Sequence, residues 1–319
     1  MAKNEITVVV MTYNHKDYIK QALDSILSQK IDVDFDILIH DDCSDDGTHQ
    51  ILLDYQNNHP KKMRIIRQET RKFDTEEFNM MIFNYVVPHI KSKYVAYCDG
   101  DDYWCDEFKL QKQYSFMESH PEYSMCFHCA YQLRPNNDMS SKWFIKEEGD
   151  IGMEDLINEN PGIPVATSSL FIKSDVFKDF PDWRKAYCVE DLPLYMNAAI
   201  YGKIHRIKDV MCVYRQFSVG SWSSQNKDNV DRLISHQANL INNVTYFNEQ
   251  TNFKYKNLVV NHIEGCEFRI AMLKRDFKII FSKKNKRFIK RMEKKERLSL
   301  KLQYRLPYLY NLLHKKKKD

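Results

Sequence analysis

Two hydrophobic patterns alternate along the first 120 residues of the chain. Continuous apolar runs such as ITVVVM (6–11) are typical of strands buried on both faces. Between them, apolar residues recur every three or four positions, as in YIKQALDSILSQ (18–29), which indicates an amphipathic helix. We predict strands at 6–11, 35–40, 63–67 and 94–98, and helices at 18–29, 47–58, 76–90 and 108–118. This βαβ alternation predicts an α/β fold with a mostly parallel mixed sheet flanked by helices.

The alternation weakens beyond residue 130. From residue 123 onward we predict strands at 123–133, 167–173 and 211–215, a loop at 134–142, and a helix at 190–202 that Gly202 closes. From about residue 228 the pattern is helical and increasingly basic. The change in composition places a boundary near residue 225 and predicts a helical, basic C-terminal region at 226–319.

Composition narrows the class of protein. A chain of 319 residues that is 43% apolar is long enough for one large domain with an appendage. No run reaches the roughly 18 apolar residues of a spanning helix, and the N-terminus enters the first strand without an export signal, so we expect a cytoplasmic protein.

The eight cysteines are scattered in apolar surroundings, as reduced thiols are. Cys126 and Cys129 have CxxC spacing, but on a strand they face opposite sides, and no second pair completes a zinc site.

Charge is distributed unevenly along the chain. Residues 282–319 contain fifteen Lys and Arg against three Asp and Glu, whereas residues 1–281 have a net charge of −8. No nucleic-acid-binding module accompanies this basic end. Five leucines fall on one helical face among the basic residues, which suits a helix lying on anionic lipid: Leu298, Leu302, Leu306, Leu309 and Leu313. The alternative is a solvated basic helix that caps the domain.

Polar clusters follow three of the predicted strands. They are Thr12-Tyr13-Asn14, Asp41 to Gly47, and Asp99-Gly100-Asp101-Asp102. Because ligands of open α/β sheets bind at the carboxyl ends of the strands, we expect the three clusters to converge in one crevice. Helix capping would explain the 41–47 cluster equally well. Three carboxylates at 99–102 exceed what a cap needs and raise one another's pKa, which favours a bound divalent cation.

Other uses of these acids fit less well. An EF-hand loop that starts at Asp42 has Leu53 at its twelfth position, where a glutamate is required. A phosphohydrolase that uses Asp99 as nucleophile would carry the motif on its first strand, followed by a small hydroxyl residue. The chain contains neither a P-loop nor a G-x-G-x-x-G motif, so a glycine-rich loop does not bind phosphate here.

The ordered motifs of residues 5–222 resemble family 2 glycosyltransferases of the A-type fold. These motifs are VVVMTYNHKDYIKQALDSILSQ, ILIHDDCSDDGT, YVAYCDGDDYW with KLQKQ behind it, and VEDLPLYMNAAIYGKIHRI followed by VYR. The resemblance implies an inverting, metal-dependent transferase that uses a nucleotide sugar. It implies a catalytic domain at 1–225, with a nucleotide-binding half at 1–105 and an acceptor-binding half at 106–225.

The resemblance also implies roles for individual residues. The edge that binds the nucleotide would be formed by Thr12, Tyr13, Asn14, Asp42 and Arg71, with Asp42 accepting the N3 hydrogen of uracil and so favouring a UDP-sugar. Asp99 and Asp101 would bind the donor, and Asp101 and Asp102 would bind Mg²⁺ or Mn²⁺, which prefer hard oxygen ligands. Asp191 of the Glu190-Asp191 pair would take the proton of the acceptor hydroxyl. Attraction of acids to a helix N-terminus is the alternative for that pair.

The chain departs from the family pattern at two points. Many relatives carry a histidine shortly after the late tyrosine-arginine pair, whereas Tyr214-Arg215 is followed by Gln-Phe-Ser. The small residues expected between the third strand and the acidic motif are also missing, which weakens the assignment of Arg71. Trp104 is a candidate platform for a sugar ring, with packing in the core as its alternative.

The acceptor is inferred from family habit and from the basic end. A glycan or a lipid-linked oligosaccharide of a bacterial cell-surface polysaccharide would suit an enzyme held on the inner face of the membrane. Two other functions stay open, a nucleotidyltransferase on a similar sheet and a non-catalytic protein that binds sugar nucleotides or glycans.

Overall fold

The protein folds around one mixed sheet with helices on both faces. The computed structural model describes residues 4–72, 81–139, 141–143, 147–157, 165–178, 191–216, 218, 224 and 229–308. Its strands are β1 (Ile6–Thr12), β2 (Phe35–Asp41), β3 (Met63–Arg67), β4 (Tyr94–Asp99), β5 (Tyr103–Trp104), β6 (Tyr123–Leu133), β7 (Ser141–Trp143), β8 (Gly149–Ile151), β9 (Phe171–Lys173) and β10 (Lys203–Arg215).

The helices flank this sheet and form the C-terminal part of the chain. They are α1 (Ile19–Leu27), α2 (Thr48–Asn58), α3 (Lys109–Ser119), α4 (Met153–Leu156), α5 (Asp191–Tyr201), α6 (Val230–Gln250), α7 (Lys256–Lys274), α8 (Phe277–Ile280), α9 (Lys286–Arg291) and α10 (Lys294–Arg305). Short 3-10 turns lie at Val87–His89, Thr167–Ser169 and Ser174–Phe177, and a π-helical turn lies at Ile82–Val86. No described helix combines the length and the apolar composition that crossing a membrane requires.

Strand order sets the position of the site. The sheet runs β3-β2-β1-β4-β9-β6-β10-β5, with β7 paired to β6 and β8 to β10. The first four strands are mutually parallel, and Ile6 lies opposite both Phe35 and Tyr94. The order reverses where β1 meets β4, which is where α/β sheets open a crevice for ligands. The carboxyl ends of β1, β2 and β4 therefore meet at one edge.

Both faces of the sheet are buried. Val8 and Val10 of β1 belong to a core shared with α1, α2 and α3, whereas Val9 belongs to a second core. The second core also contains Phe247 of α6 and Val259 of α7, so these helices cover the sheet and share its core. A smaller apolar cluster joins α7 to α8 and α9 and consists of Phe268, Ala271, Ile280 and Phe288. The boundary at residue 225 stays a prediction.

The observed elements match the predicted ones closely in the N-terminal half and differ in places beyond it. The predicted strand 167–173 is a 3-10 turn followed by the three-residue β9, because the backbone N–H groups of Ser169 and Leu170 donate to the carbonyls of Ala166 (2.8 Å) and Thr167 (3.1 Å) and so close a turn. The strand predicted at 211–215 begins earlier, at Lys203. The predicted loop 134–142 ends in β7. The first part of the predicted helix 76–90 lies outside the described residues.

Candidate active site

The three predicted clusters converge at the edge where β1, β2 and β4 end. The backbone N–H of Asp42 donates to the Thr12 carbonyl (3.0 Å), and that of Gly100 donates to the Met11 carbonyl (2.8 Å). These bonds extend the pairing of β1 with both neighbours past the strand ends. The three clusters therefore lie side by side at the edge of the sheet where the strand order predicts the ligand crevice.

Asn14 joins the first two clusters. Its backbone adopts a left-handed conformation (φ 54°) that asparagine tolerates. Its side-chain amide donates to Asp45 Oδ1 (2.9 Å), its amide oxygen accepts from the Asp45 N–H (3.0 Å), and its own N–H donates to Ser44 Oγ (3.0 Å). These contacts give Asn14 a structural role in joining the two clusters, and its predicted contact with the nucleotide stays a prediction.

Two acids of the 41–47 cluster, Asp41 and Asp46, form hydrogen bonds that stabilise the cluster and the start of α2. Asp41 is fully buried, accepts the Ser44 N–H (2.9 Å) and pairs with His49 (2.9 Å). Asp46 accepts from the N–H (2.9 Å) and the hydroxyl (2.6 Å) of Thr48, at the start of α2. Hydrogen bonds to Thr48 account for Asp46, and hydrogen bonds to Ser44 and His49 account for Asp41, but neither set explains Asp42.

The predicted residues for nucleotide binding are neighbours. The Arg71 guanidinium lies over the Tyr13 ring, 4.1 Å from its centroid. The next residue, Lys72, donates its backbone N–H to Asp42 Oδ1 (2.8 Å). A stacked arginine on tyrosine beside a carboxylate forms a flat polar edge of the kind that a nucleobase can contact. The structure thus brings Tyr13, Asp42 and Arg71 together. The residues that follow, 73–80, lie outside the described part of the chain.

Gly100 is fixed by close packing in the acidic loop, residues 99–102. A Cβ atom at this position would lie 2.7 Å from Thr12 Oγ1 and 2.8 Å from His15 Nδ1. His15 is buried, its Nδ1 lies 3.2 Å from Thr12 Oγ1, and burial lowers its pKa despite the nearby carboxylate of Asp101. His15 was not among the predicted site residues, and it forms part of the wall beside the acidic loop.

The three aspartates of the acidic loop have different partners. Asp102 is 1% exposed, and both of its carboxylate oxygens accept protein hydrogen bonds, from Ser168 Oγ (2.7 Å) and from the Arg215 N–H (2.9 Å). Asp101 accepts a hydrogen bond from the Ser218 hydroxyl. Asp99 lies near Asp191 and accepts a hydrogen bond from the Thr167 side chain.

Electrostatics show that negative charge is concentrated here. Burial, together with the charges of Asp101 and Asp191, raises the pKa of Asp99 well above its ordinary value. Burial and the charges of Asp101 and Asp99 raise the pKa of Asp102 in the same way. The guanidinium of Arg215 lies beside the loop and donates to the Asp101 carbonyl and to Gln21.

A divalent cation fits this loop in charge and in ligand type, because crowded carboxylates are hard oxygen ligands. In the described part of the chain, no three His, Cys, Asp or Glu side chains gather closely enough to hold a metal by themselves. An ion here would therefore need further oxygens from the donor or from water. Asp101 is the better placed of the two predicted metal ligands, since Asp102 already bonds the protein through both oxygens.

Asp191 begins α5 at the border of the crevice. Its side chain is exposed, whereas the residues that follow it on α5 are buried in the second core. It lies close enough to Asp99 to raise the pKa of that carboxyl. Its predicted role in taking the acceptor proton stays a prediction. Glu190 lies outside the described residues.

The sequence of this crevice matches a known family. Residues 7–180 match the family profile described as glycosyl transferase family 2. The chain belongs to this glycosyltransferase family. It is also 28% identical over 233 residues to an uncharacterised protein of Mycobacterium tuberculosis, a match that covers 70% of this chain and 62% of the relative. The aligned part of the chain thus spans somewhat under two thirds of that relative's length.

Solved structures of other glycosyltransferases share the fold. Residues 1–349 of Staphylococcus aureus TarS in complex with UDP-GlcNAc superpose with a TM-score of 0.56 at 17% identity, over 94% of this chain and 91% of that one. The mannosyltransferase PcManGT of Pyrobaculum calidifontis, in complex with GDP-Man and Mn²⁺, gives a TM-score of 0.55 at 14% identity, over 97% and 83%. The predicted A-type glycosyltransferase fold is confirmed.

Within this glycosyltransferase, Trp104 packs in the core. Its ring is 4% exposed, its Nε1 donates to the Ser168 carbonyl (2.9 Å), and Lys109 Nζ lies 4.0 Å from the ring centroid. A ring enclosed in this way cannot stack on a sugar, so the structure supports the packing alternative and corrects the proposed platform.

Sequence reasoning also missed two groups of residues in the glycosyltransferase site. Arg215 lies between the rings of Tyr18 and Tyr103, 4.9 and 5.0 Å from their centroids. The other group is the turn Thr167–Ser169, whose first two side chains bond Asp99 and Asp102. The late VYR motif points to the first group, and no local signal points to the second.

Proposed function

We propose that the protein is an inverting glycosyltransferase that moves a sugar from a UDP-sugar to an acceptor hydroxyl, with Asp191 as the base. The observation that carries the proposal is the position of Asp191, an exposed residue whose carboxylate is close enough to Asp99 to raise the pKa of that carboxyl. The predicted nucleotide edge of Tyr13, Asp42 and Arg71 lies in the same crevice.

The chemistry follows from one displacement. The acceptor hydroxyl gives its proton to Asp191, its oxygen forms a bond to the anomeric carbon, and the bond from that carbon to the diphosphate oxygen breaks. The electron pair of the broken bond stays on the diphosphate. When bound through Asp101 and its neighbours, Mg²⁺ or Mn²⁺ stabilises negative charge on the leaving group. A single displacement inverts the anomeric carbon.

The donor assignment rests on Asp42 and on the structural neighbours. A carboxylate that accepts the N3 hydrogen of uracil favours UDP, and TarS was solved with UDP-GlcNAc. The other structural neighbour, PcManGT, was solved with GDP-Man. The experiment must therefore compare UDP-hexoses and UDP-N-acetylhexosamines with GDP-sugars. A thermal-shift panel of nucleotide sugars, each with Mn²⁺ or with EDTA, ranks them. Stabilisation by UDP-sugars that is stronger with Mn²⁺ supports the donor class and the metal together.

The acceptor is a glycan or a lipid-linked oligosaccharide of a bacterial surface polysaccharide. In support, TarS carries the name poly(ribitol-phosphate) beta-N-acetylglucosaminyltransferase, which denotes a polymer acceptor, and is 28% identical to this chain over 117 residues. On α10 and just beyond it, Leu298 is 70% and Leu306 52% exposed among exposed lysines. Such a surface suits reversible binding to anionic lipid on the cytoplasmic face. Residues 309–319 lie outside the description.

Asp191→Asn tests the catalytic role. The variant keeps the shape of the side chain but cannot accept a proton, so turnover should fall by on the order of 10² to 10⁴ while UDP affinity changes little. Asp231→Asn is the matched control, because Asp231 is another exposed aspartate in the first turn of a helix, α6. If only helix stability matters, both variants lose about 0.3–1 kcal/mol and keep full turnover.

The same assay separates the alternatives. Release of pyrophosphate instead of UDP would identify a nucleotidyltransferase. Binding of UDP-sugars with no turnover on any acceptor would identify a binding protein. An active Asp191→Asn beside an inactive Glu190→Gln would move the base one residue upstream.

A further inference from the structure

The first and last residues of the KLQKQ motif (109–113), at the start of α3, lie in the core of the protein and not at the proposed catalytic site. Lys109 and Gln113 are both fully buried, and Lys109 Nζ donates to Gln113 Oε1 (2.7 Å). The lysine also lies over the Trp104 ring, 4.0 Å from its centroid. Burial lowers the pKa of Lys109 to about 8, and the nearby thiols of Cys98, Cys126 and Cys212 oppose this shift only in part. Keeping a cation in such a place costs stability, which calls for a function.

These side chains fix the turn Thr167–Ser169 from behind. Trp104 Nε1 donates to the Ser168 carbonyl (2.9 Å), and Gln113 Nε2 donates to the Ser169 carbonyl (2.9 Å). Two successive carbonyls of the turn are thus held by buried donors that Lys109 contacts together. The turn cannot shift without breaking one of these bonds in the core.

The front of the same turn holds the acidic loop. Ser168 Oγ donates to Asp102 Oδ2 (2.7 Å) and accepts the Asp99 N–H (2.9 Å). Both Ser168 and Asp102 are almost completely buried, so a lost bond would leave an unsatisfied group that water does not reach. Ser168 therefore connects the core behind the turn to both ends of the loop.

We propose that Lys109 and Gln113 are positioning residues, which set the acidic loop through Trp104 and the Ser168 hydroxyl. They touch no reacting group, and they act by holding the turn to which Asp99 and Asp102 bond. The inference rests on the proposed function for its effect on catalysis, and on the hydrogen bonds alone for its effect on the loop.

Two variants test it against a matched control. Ser168→Ala removes the bonds to the loop. The double variant Lys109→Met with Gln113→Leu removes the buried polar pair together, so that neither partner is left alone in the core. Ser169→Ala is the control, since Ser169 is equally buried in the same turn, but its hydroxyl bonds the Ala166 carbonyl and not an aspartate.

Hydrogen exchange of the amides of residues 99–102 reports the loop without any ligand. We expect faster exchange in Ser168→Ala and in the double variant, and exchange as in the wild type in Ser169→Ala. Calorimetry with UDP should show affinity in Mn²⁺ reduced by on the order of 10- to 100-fold in the first two, as for loss of supporting contacts around a metal site, with a smaller change in EDTA.

The outcomes separate the two claims. Loop exchange that is unchanged in Ser168→Ala and in the double variant, or raised equally in Ser169→Ala, overturns the positioning role. A wild-type protein that binds no UDP overturns the proposed function, and the exchange comparison then still decides the positioning role.

Discussion

Gly100→Ala is the sharpest single perturbation of the crevice. The new Cβ would lie 2.7 Å from Thr12 Oγ1 and 2.8 Å from both His15 Nδ1 and Thr12 Cβ, whereas ordinary contact begins at 3.4 Å. About 0.6–0.7 Å of movement is needed on that side, by difference from the same distances. Thr12 and His15 are both buried and cannot move into solvent. Overpacking of this kind costs about 1–3 kcal/mol.

The strain also has a direction. Because Gly100 bonds Met11 and lies between Asp99 and Asp101, relief of the contact moves the acidic loop away from β1. We therefore expect weaker UDP binding in addition to lower stability. Urea denaturation measures the free energy of unfolding, and calorimetry of the folded protein in Mn²⁺ measures the affinity for UDP.

Two other glycines serve as controls. A Cβ at Gly149 has nothing within 4 Å, so Gly149→Ala should change neither quantity. A Cβ at Gly202 would lie 2.7 Å from the Glu122 carbonyl oxygen, at the opposite edge of the sheet. Gly202→Ala should therefore lower stability and leave UDP affinity intact. A Gly100→Ala protein with wild-type stability and wild-type affinity would refute the packing argument.

Two further predictions concern pH and the basic surface. Burial lowers the pKa of His40 from 6.5 to about 4, so the unfolded chain binds a proton at a higher pH than the folded protein does. The free energy of unfolding should therefore fall by roughly 3 kcal/mol as pH drops from 6.5 to 4. Parallel curves of stability against pH for the wild type and His40→Gln would contradict this. Replacing Leu298 and Leu306 by serine should weaken co-sedimentation of the protein with anionic vesicles. Salt should weaken it further, because it screens charges over about 8 Å at physiological strength. If the intact protein does not co-sediment with anionic vesicles at low salt, the membrane hypothesis is wrong.

Point variants are preferable to truncation for that last test. Phe288 and Leu300 are each 8% exposed, and Tyr304 lies against Phe281 with ring centroids 5.1 Å apart. Phe288 belongs to the same apolar cluster as Phe268 of α7. A chain that ends near residue 281 would expose this cluster, and its aggregation would say nothing about lipid.

The parallel half of the fold was predictable because its signals are local. Continuous apolar runs identify β1, β2 and β4, and parallel pairing brings their carboxyl ends to one edge. The position of Tyr13, Asp42 and the acidic loop in one crevice follows from that rule alone. Local pattern also located α5 with Asp191 at its start.

The contacts that give each acid its role were not predictable, because they join distant parts of the chain. Ser168 is 66 residues from Asp102, and Arg215 is 113 residues from it. Nothing near Trp104 in the sequence shows that its Nε1 bonds a carbonyl 64 residues away. A short TSS segment before an apolar run resembles a strand, and only the tertiary structure shows that it holds the acidic loop.

The three aspartates of the acidic loop are tolerated because the fold gives each of them different partners. Asp99 ends β4 and lies near Asp191, the residue that we propose as the base. Asp102 turns inward, where Ser168 and the Arg215 backbone bond both its oxygens and set the shape of the loop. Asp101 lies between them and bonds Ser218. The raised pKa values of Asp99 and Asp102 show that this separation does not remove the repulsion. A divalent cation would offset this remaining negative charge and would also bind the anionic diphosphate of the donor, which is why UDP and Mn²⁺ should stabilise the protein together more than either does alone.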